Sequence, residues 1–188
     1  RGDGVAIIFQ GPMSALGPGY TGGHQIEEML KEHKKGMTKA EYKAAAIEDL
    51  ADMGIPAPDI RYGEYPHQFS GGMRQRSMIA MGMSCEPKIL LADEPTTALD
   101  VTISAQIFDL MNNLKKEHNT AIMMITHNMG VVAEMADEVA VMYMGNIVEY
   151  GPVEKIFTNP SHPYTKALLR SIPVLGKGKN QQLEPIRG

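Results

Sequence analysis

The chain opens on an unbroken apolar run, Val5-Ala6-Ile7-Ile8-Phe9, of strand length. With no polar alternation, it predicts a strand buried on both faces, as in a parallel sheet. Gln10 stands at its C-terminal end. Residues 11–23 hold five Gly and two Pro, which predicts a loop. From His24 the period turns helical, and Ile26, Met29, Leu30 and His33 share one face. Thr38 is placed to cap the next helix, whose buried side is Ala40, Ala44, Ile47, Leu50 and Ala51. Gly54 ends that helix, with Pro56 just beyond. Ser70 precedes a further helical stretch holding Met73, Ile79, Ala80 and Met83.

The second half alternates. Lys88-Ile89-Leu90-Leu91-Ala92-Asp93 is a short apolar run with an acid at its end. Asp100 then caps a helix whose apolar face is Ile103, Ile107, Leu110, Met111 and Leu114. Ala121 to Thr126 reads as a second buried strand, closed by His127, with a helix through Met135 after it. Glu138 to Tyr143 and Asn146 to Tyr150 read as a hairpin around Gly145-Asn146. Strand, helix, strand, helix in that order predicts a parallel α/β sheet. The chain divides into a core strand over 1–10, a helical insertion over 11–86 and the rest of the core over 87–151. An annex over 152–188 carries Pro160, Pro163, a helix through Leu168-Leu169 and a polar tail.

Composition narrows the function class. The 188 residues are 43% hydrophobic and 21% charged, an ordinary globular balance that argues against a disordered chain. Lys plus Arg number 18 against 22 Asp plus Glu, so no basic excess drives sequence-independent nucleic-acid binding. The single cysteine, Cys85, forms no internal disulfide and builds no Cys-rich metal site. No run of 18 apolar residues occurs, and the start shows no signal-peptide pattern. The 15 methionines read as adaptable core filler. The first residue is Arg1 and leads almost at once into the apolar run, as expected of a chain that begins mid-protein.

Four features carry chemistry. Ile89 to Asp93 delivers two adjacent carboxylates, Asp93 and Glu94, to a strand tip, where ligands of open α/β sheets bind. One carboxylate suits Mg²⁺ and its water shell, and the next suits orienting or deprotonating a water. Ser70-Gly71-Gly72 opens a helix, where free amides and the positive helix end suit a phosphate. His127 and Gln10 each stand at a strand tip, suited to a phosphate oxygen and to a metal-bound water. Taken singly, these are equally a solvated acidic turn, a plain loop, a structural histidine and an exposed glutamine.

Order and spacing change that. Gln10 ends a strand; a helical insertion and Phe69-Ser-Gly-Gly-Met-Arg-Gln-Arg76 follow. Asp93-Glu94, Ala98-Leu99-Asp100 and, after one helix and one strand, His127 come next. Over nearly its whole length the chain resembles the ATP-binding subunits of ABC transporters. Gln10 matches their Q-loop and Ser70-Gly71-Gly72 their signature motif. Asp93 and Glu94 match Walker B, Ala98-Leu99-Asp100 the D-loop, and His127 the switch histidine. Phe9-Gln10-Gly-Pro-Met-Ser-Ala-Leu16, Tyr65 to Arg76, Ala92 to Val101 and Asn159 to Leu169 resemble the dipeptide/oligopeptide importer branch. Departures are Phe and Met flanking Ser-Gly-Gly, Asn128 in place of an Asp, and Gly11 and Gly17 where that branch often has Asp and Asn.

The resemblance implies a partial P-loop NTPase, RecA-like core with an inserted helical subdomain. It implies an ATPase subunit powering peptide import, with ATP and Mg²⁺ as cofactors. Asp93 and Gln10 would help hold Mg²⁺, Glu94 would activate water, and His127 would contact the γ-phosphate. Ser70, Gly71 and Gly72, with Asp100 of the D-loop, would face nucleotide held by a second ATP-binding subunit. Further implied partners are transmembrane permease subunits and, indirectly, a peptide-binding protein, with no nucleic acid. The implied location is the cytoplasmic face of the cell membrane, as a peripheral protein.

No Gly-x-x-x-x-Gly-Lys-Ser/Thr occurs in the 188 residues. The family places that phosphate cradle upstream of the Q-loop, so the chain is expected to be a fragment or the product of a truncated gene model. Two other function classes stand beside the transport ATPase. One is a catalytically incompetent module that binds a partner. The other is a soluble ABC-type ATPase acting on nucleic acid or ribosomes, which the pI near 5.9 and His162-Pro163-Tyr164 argue against. The strands near Val5 and Asp93 are both expected to lack neighbours and to offer exposed edges.

Overall fold

A computed structural model describes residues 4–11 and 16–171. The chain separates into two compact units, Arg1–Ile125 and Thr126–Gly188.

In the first unit three parallel strands form a sheet in the order β1 (Val5–Ile8), β2 (Ile89–Asp93), β3 (Ala121–Ile125). β1 pairs Ile8 with Ala92, and β2 pairs Asp93 with Ile125. The Asp93 strand is therefore the central one, with neighbours on both sides, contrary to the expectation that it lacks them. Between β1 and β2 lie α1 (Gly22–His33), α2 (Lys39–Asp52), the short α3 (Pro58–Arg61), a 3₁₀ turn at Pro66–Gln68, and α4 (Gly71–Met83). α5 (Val101–Glu117) connects β2 to β3.

The sheet is covered on one face. A Cβ on Gly82 of α4 would meet Leu90, Ala6 and Ile8 at 3.5 to 3.9 Å, so the helix rests on that face. Ile8, Leu90 and Ala92 are buried there, worth about 1.5–3 kcal/mol for each large side chain. Val5, Ile89, Met123 and Ile125 stay exposed, Met123 by 59%. The expectation of strands buried on both faces is therefore corrected for β1 and β3. An unbroken apolar run records the hydrophobicity of both faces, but among the described residues helices pack on one.

Local chemistry explains most helix boundaries. Thr38 accepts from the Glu41 amide while Glu41 Oε2 accepts from the Thr38 amide at 2.6 Å, a reciprocal capping box. Gly54, at φ +68°, takes the left-handed conformation that ends the helix. α1 starts earlier than the sequence suggests: Thr21 caps it and Gly22-Gly23 lie inside it. Those glycines are demanded by packing, because a Cβ on Gly23 would stand 2.0 Å from the Tyr62 ring. Behind them, buried Glu27 hydrogen-bonds Tyr62 and pairs with Lys31 at 2.7 Å.

In the second unit α6 (Met129–Met135) leads to the antiparallel pair β4 (Glu138–Tyr143) and β5 (Asn146–Pro152). The hairpin turns on Met144 and Gly145, at φ +46° and +79°, one residue before the expected position. A two-residue turn with both φ values positive matches the strand twist. α7 (Val153–Thr158) and α8 (Pro163–Arg170) follow. Ile156 packs with Val139 and Val141, and Tyr164 packs against Tyr143 with ring centroids 4.4 Å apart and planes tilted by 35°. The expected polar tail lies outside the described residues. Among the described residues no helix is long and apolar enough to cross a membrane.

Candidate functional site at the strand tips

β1 and β2 run parallel, so their C-terminal ends reach the same edge of the sheet. Gln10, two residues beyond Ile8, donates from Nε2 to Glu94 Oε2 at 2.8 Å. Thr97 Oγ1 donates to the same oxygen, also at 2.8 Å. Asp93, the last residue of β2, is half-buried beside them in sequence. The turn that carries Glu94 is strained: its φ is +43°, and Ala98 follows at +65°. Each such non-glycine residue costs about 1–2 kcal/mol, which backbone bonds must offset. Glu94 N donates to Ile125 O at 2.9 Å, and Thr97 N to Glu94 O at 3.1 Å.

Ser70 caps α4, its Oγ accepting from Met73 N at 3.2 Å. The hydroxyl hydrogen remains to donate elsewhere. The glycines after it sit against the next motif. A Cβ on Gly71 would stand 3.2 Å from Leu99, and one on Gly72 2.8 Å from Ile103 Cγ2. Asp100 caps α5, Oδ1 accepting from Ile103 N at 2.9 Å. Arg76, on the same helix as the glycines, donates to Met53 O at 2.6 Å and to Gln106 Oε1 at 3.3 Å. It thereby ties α2, α4 and α5 together.

Thus the structure brings Gln10 to Glu94, Gly71 to Leu99, and Gly72 to Ile103 in the helix that Asp100 caps. His127 belongs to the second unit and is exposed just after Thr126. There Thr126 Oγ1 accepts from Asn128 N at 3.0 Å, and Asn128 Oδ1 caps α6 through Gly130 N at 3.0 Å. Asn128 thus does the capping that an Asp would do. Gly11, a departure after Gln10, takes φ +85°, a conformation glycine adopts without strain. Thr97 is the member of the site that sequence reasoning passed over. Its signal is a hydroxyl three residues after an acid at a strand end, the spacing of a hydrogen-bonded turn.

A family model described as "ABC transporter" matches residues 1–97, and one described as "Oligopeptide/dipeptide transporter, C-terminal region" matches residues 148–188. The chain belongs to the ABC transporter family. It is 53% identical over 187 residues to the dipeptide transport ATP-binding protein DppD of Haemophilus influenzae. It is 52% identical over 188 residues to the oligopeptide transport ATP-binding protein OppD of Bacillus subtilis. All of this chain is covered in both comparisons, but only 56% of the first relative and 52% of the second. This member of the family therefore spans about half the length of those relatives. The ATP-binding cassette MJ0796, in a dimeric post-hydrolysis state bound to ADP and Pi, matches with a TM-score of 0.71 at 26% identity. That match covers 81% of this chain and 64% of the cassette. The α/β fold is thus that of an ABC cassette, a P-loop NTPase core with helices between β1 and β2.

Proposed function

We propose that the complete protein is the ATP-binding and ATP-hydrolysing subunit that powers dipeptide or oligopeptide import by an ABC transporter. The observation that carries this reading is the engagement of Glu94 by Gln10, next to Asp93, at the tips of two parallel strands. The peptide-importer C-terminal match and the names of the relatives support the substrate class.

The donor set suits the implied cofactors. Asp93 and the Gln10 carbonyl are hard oxygen ligands of the kind Mg²⁺ prefers. Mg²⁺ is commonly held by one or two carboxylates, with phosphates and water completing its shell, so these two side chains suffice as the protein's share. When bound, Mg²⁺ supplies charge neutralisation at the phosphates. Glu94 accepts the proton of the attacking water, held in place by its strained turn and its two donors. His127 donates to the terminal phosphate. Ser70 O–H and the first amides of α4 face nucleotide carried by a second ATP-binding subunit, while Asp100 fixes the neighbouring turn. The dimeric cassette MJ0796 supports that pairing. Permease subunits and a peptide-binding protein complete the assembly, with the protein peripheral to the cytoplasmic membrane face. The segments 1–10 and 87–151 act as the core, 11–86 as the helical subdomain and 152–188 as the importer-type extension.

The test is Glu94→Gln in the complete natural gene product. ATP binding is expected to persist while turnover falls about 10²–10⁴-fold, the usual worth of a general base. Turnover near the wild-type rate would overturn the reading.

A further inference from the structure

Resting on that reading of Glu94, we infer that Thr97 is the positioning residue that aims the Glu94 carboxylate. Thr97 is tied to Glu94 twice. Its amide donates to the Glu94 carbonyl at 3.1 Å, and its hydroxyl donates to Glu94 Oε2 at 2.8 Å. The two bonds close a ring between backbone and side chain. That ring restricts the Glu94 torsions, where a bare glutamate keeps several rotamers. A hydroxyl donating to a carboxylate is also a charge-assisted bond, stronger than a neutral one.

Gln10 shares the same acceptor oxygen but reaches it from another strand, 84 residues away. A donor on a separate element leaves when that element moves. Thr97 moves with Glu94, because both belong to one hydrogen-bonded turn. It is therefore the donor that keeps its bond whichever way the Gln10 segment shifts. β-Branching adds stiffness: Thr97 has few χ1 choices, so the hydroxyl stays aimed. The left-handed φ of Glu94, +43°, sets the angle at which this turn leaves β2.

The experiment compares Thr97→Val and Thr97→Ser with Glu94→Gln in the complete gene product. Valine keeps the shape and β-branching and removes the donor. Thr97→Val is expected to lower kcat roughly 5- to 50-fold, the scale of misplacing a catalytic group. KM for ATP should stay within about twofold, since a positioning residue does not bind nucleotide. Thr97→Ser restores the hydroxyl and should recover most of the rate. A nucleotide-free readout accompanies this: the ¹³C resonance of the Glu94 carboxyl carbon should move in the valine variant and return in the serine variant. Unchanged turnover in Thr97→Val overturns the inference. So does a serine variant as slow as the valine one, or a joint loss of melting temperature, kcat and KM. If Glu94→Gln itself turns over normally, the reading of Glu94 fails. If Glu94→Gln is inactive and Thr97→Val is normal, the inference about Thr97 alone fails.

Discussion

The Gln10 side-chain amide lies 2.8 Å from the Glu94 carboxylate, although 84 positions separate the two residues. The pairing register accounts for the meeting. Ile8 pairs with Ala92, and each polar residue stands two positions beyond its strand's member of that pair. A slip of one residue would send the strands' side chains to opposite faces and separate the two groups. The buried face made by Ile8, Leu90 and Ala92 resists such a slip. Core packing in β1 and β2 thereby controls the geometry of a polar contact at the sheet edge.

The contact between Gly72 and Ile103 is the tightest at the opening of α4. A Cβ at residue 72 would stand 2.8 Å from Ile103 Cγ2, a methyl on a stiff, β-branched side chain. Gly72→Ala is expected to destabilise the protein by about 1–3 kcal/mol through overpacking, despite the better helix propensity of alanine. Adding Ile103→Ala removes the clashing methyl and should return part of the loss. Urea denaturation of the single and double variants measures both effects. A double variant no more stable than Gly72→Ala would show that this contact is not the cause.

The sequence made some of this legible and concealed the rest for physical reasons. Helix caps at Thr38, Ser70 and Asp100 are readable because capping is a local bond between a side chain and an amide two or three residues on. The strand tips are readable because apolar runs end abruptly at Gln10 and Asp93. The exposed face of the sheet is not readable: Val5, Met123 and Ile125 are as apolar as buried neighbours. Gly22 and Gly23 look like loop residues because the partners that require them, Phe69 and Tyr62, lie far along the chain. α7 escaped notice because six residues are too few to show a helical period. Thr97 was hidden inside a motif whose interest lay in its acids.

Asp49 gives the first unit a pH dependence. It lines a cavity with Lys34, Glu86 and His118, and its Oδ2 is buried with no hydrogen-bond partner. Burial pushes its carboxyl up to about 6, against the opposing pull of Lys34. A folded value above the unfolded one means that the protonated form favours the fold. That contribution is present below about pH 4 and is lost as pH rises from about 4 to about 6. Asp49→Asn should remove the loss. The variant is expected to be more stable at pH 7 by about 1–2 kcal/mol, after discounting for solvent screening at a half-buried site. Urea midpoints at pH 4 and pH 7 provide the check. Equal midpoints for variant and wild type at pH 7 would rule out an ionised, poorly solvated Asp49.

Glu149 has the opposite sign in the second unit. Its carboxylate accepts from Ser161 N at 2.6 Å and from His162 N at 3.0 Å. The nearby Thr165 hydroxyl, with those two amides, holds the group down to about 2. The bonds fasten the segment before α8 to β5, and Tyr164 of α8 packs against Tyr143 of β4. A folded value below the unfolded one means the ionised form favours the fold. The contribution is fully present above the ordinary glutamate value of about 4.3 and is lost as pH falls through about 2. Glu149→Gln keeps the shape and removes the charge, so the segment around α8 should open more often. Trypsin should then cut after Lys166 severalfold faster at pH 7. Denaturation curves supply the sign. The gap in stability between wild type and variant should be present at pH 7, shrink as pH falls through about 2, and close below it, where both side chains are neutral. A gap that persists unchanged below pH 2 would mean that glutamine acts by shape, and that the carboxylate charge does not hold the element in place.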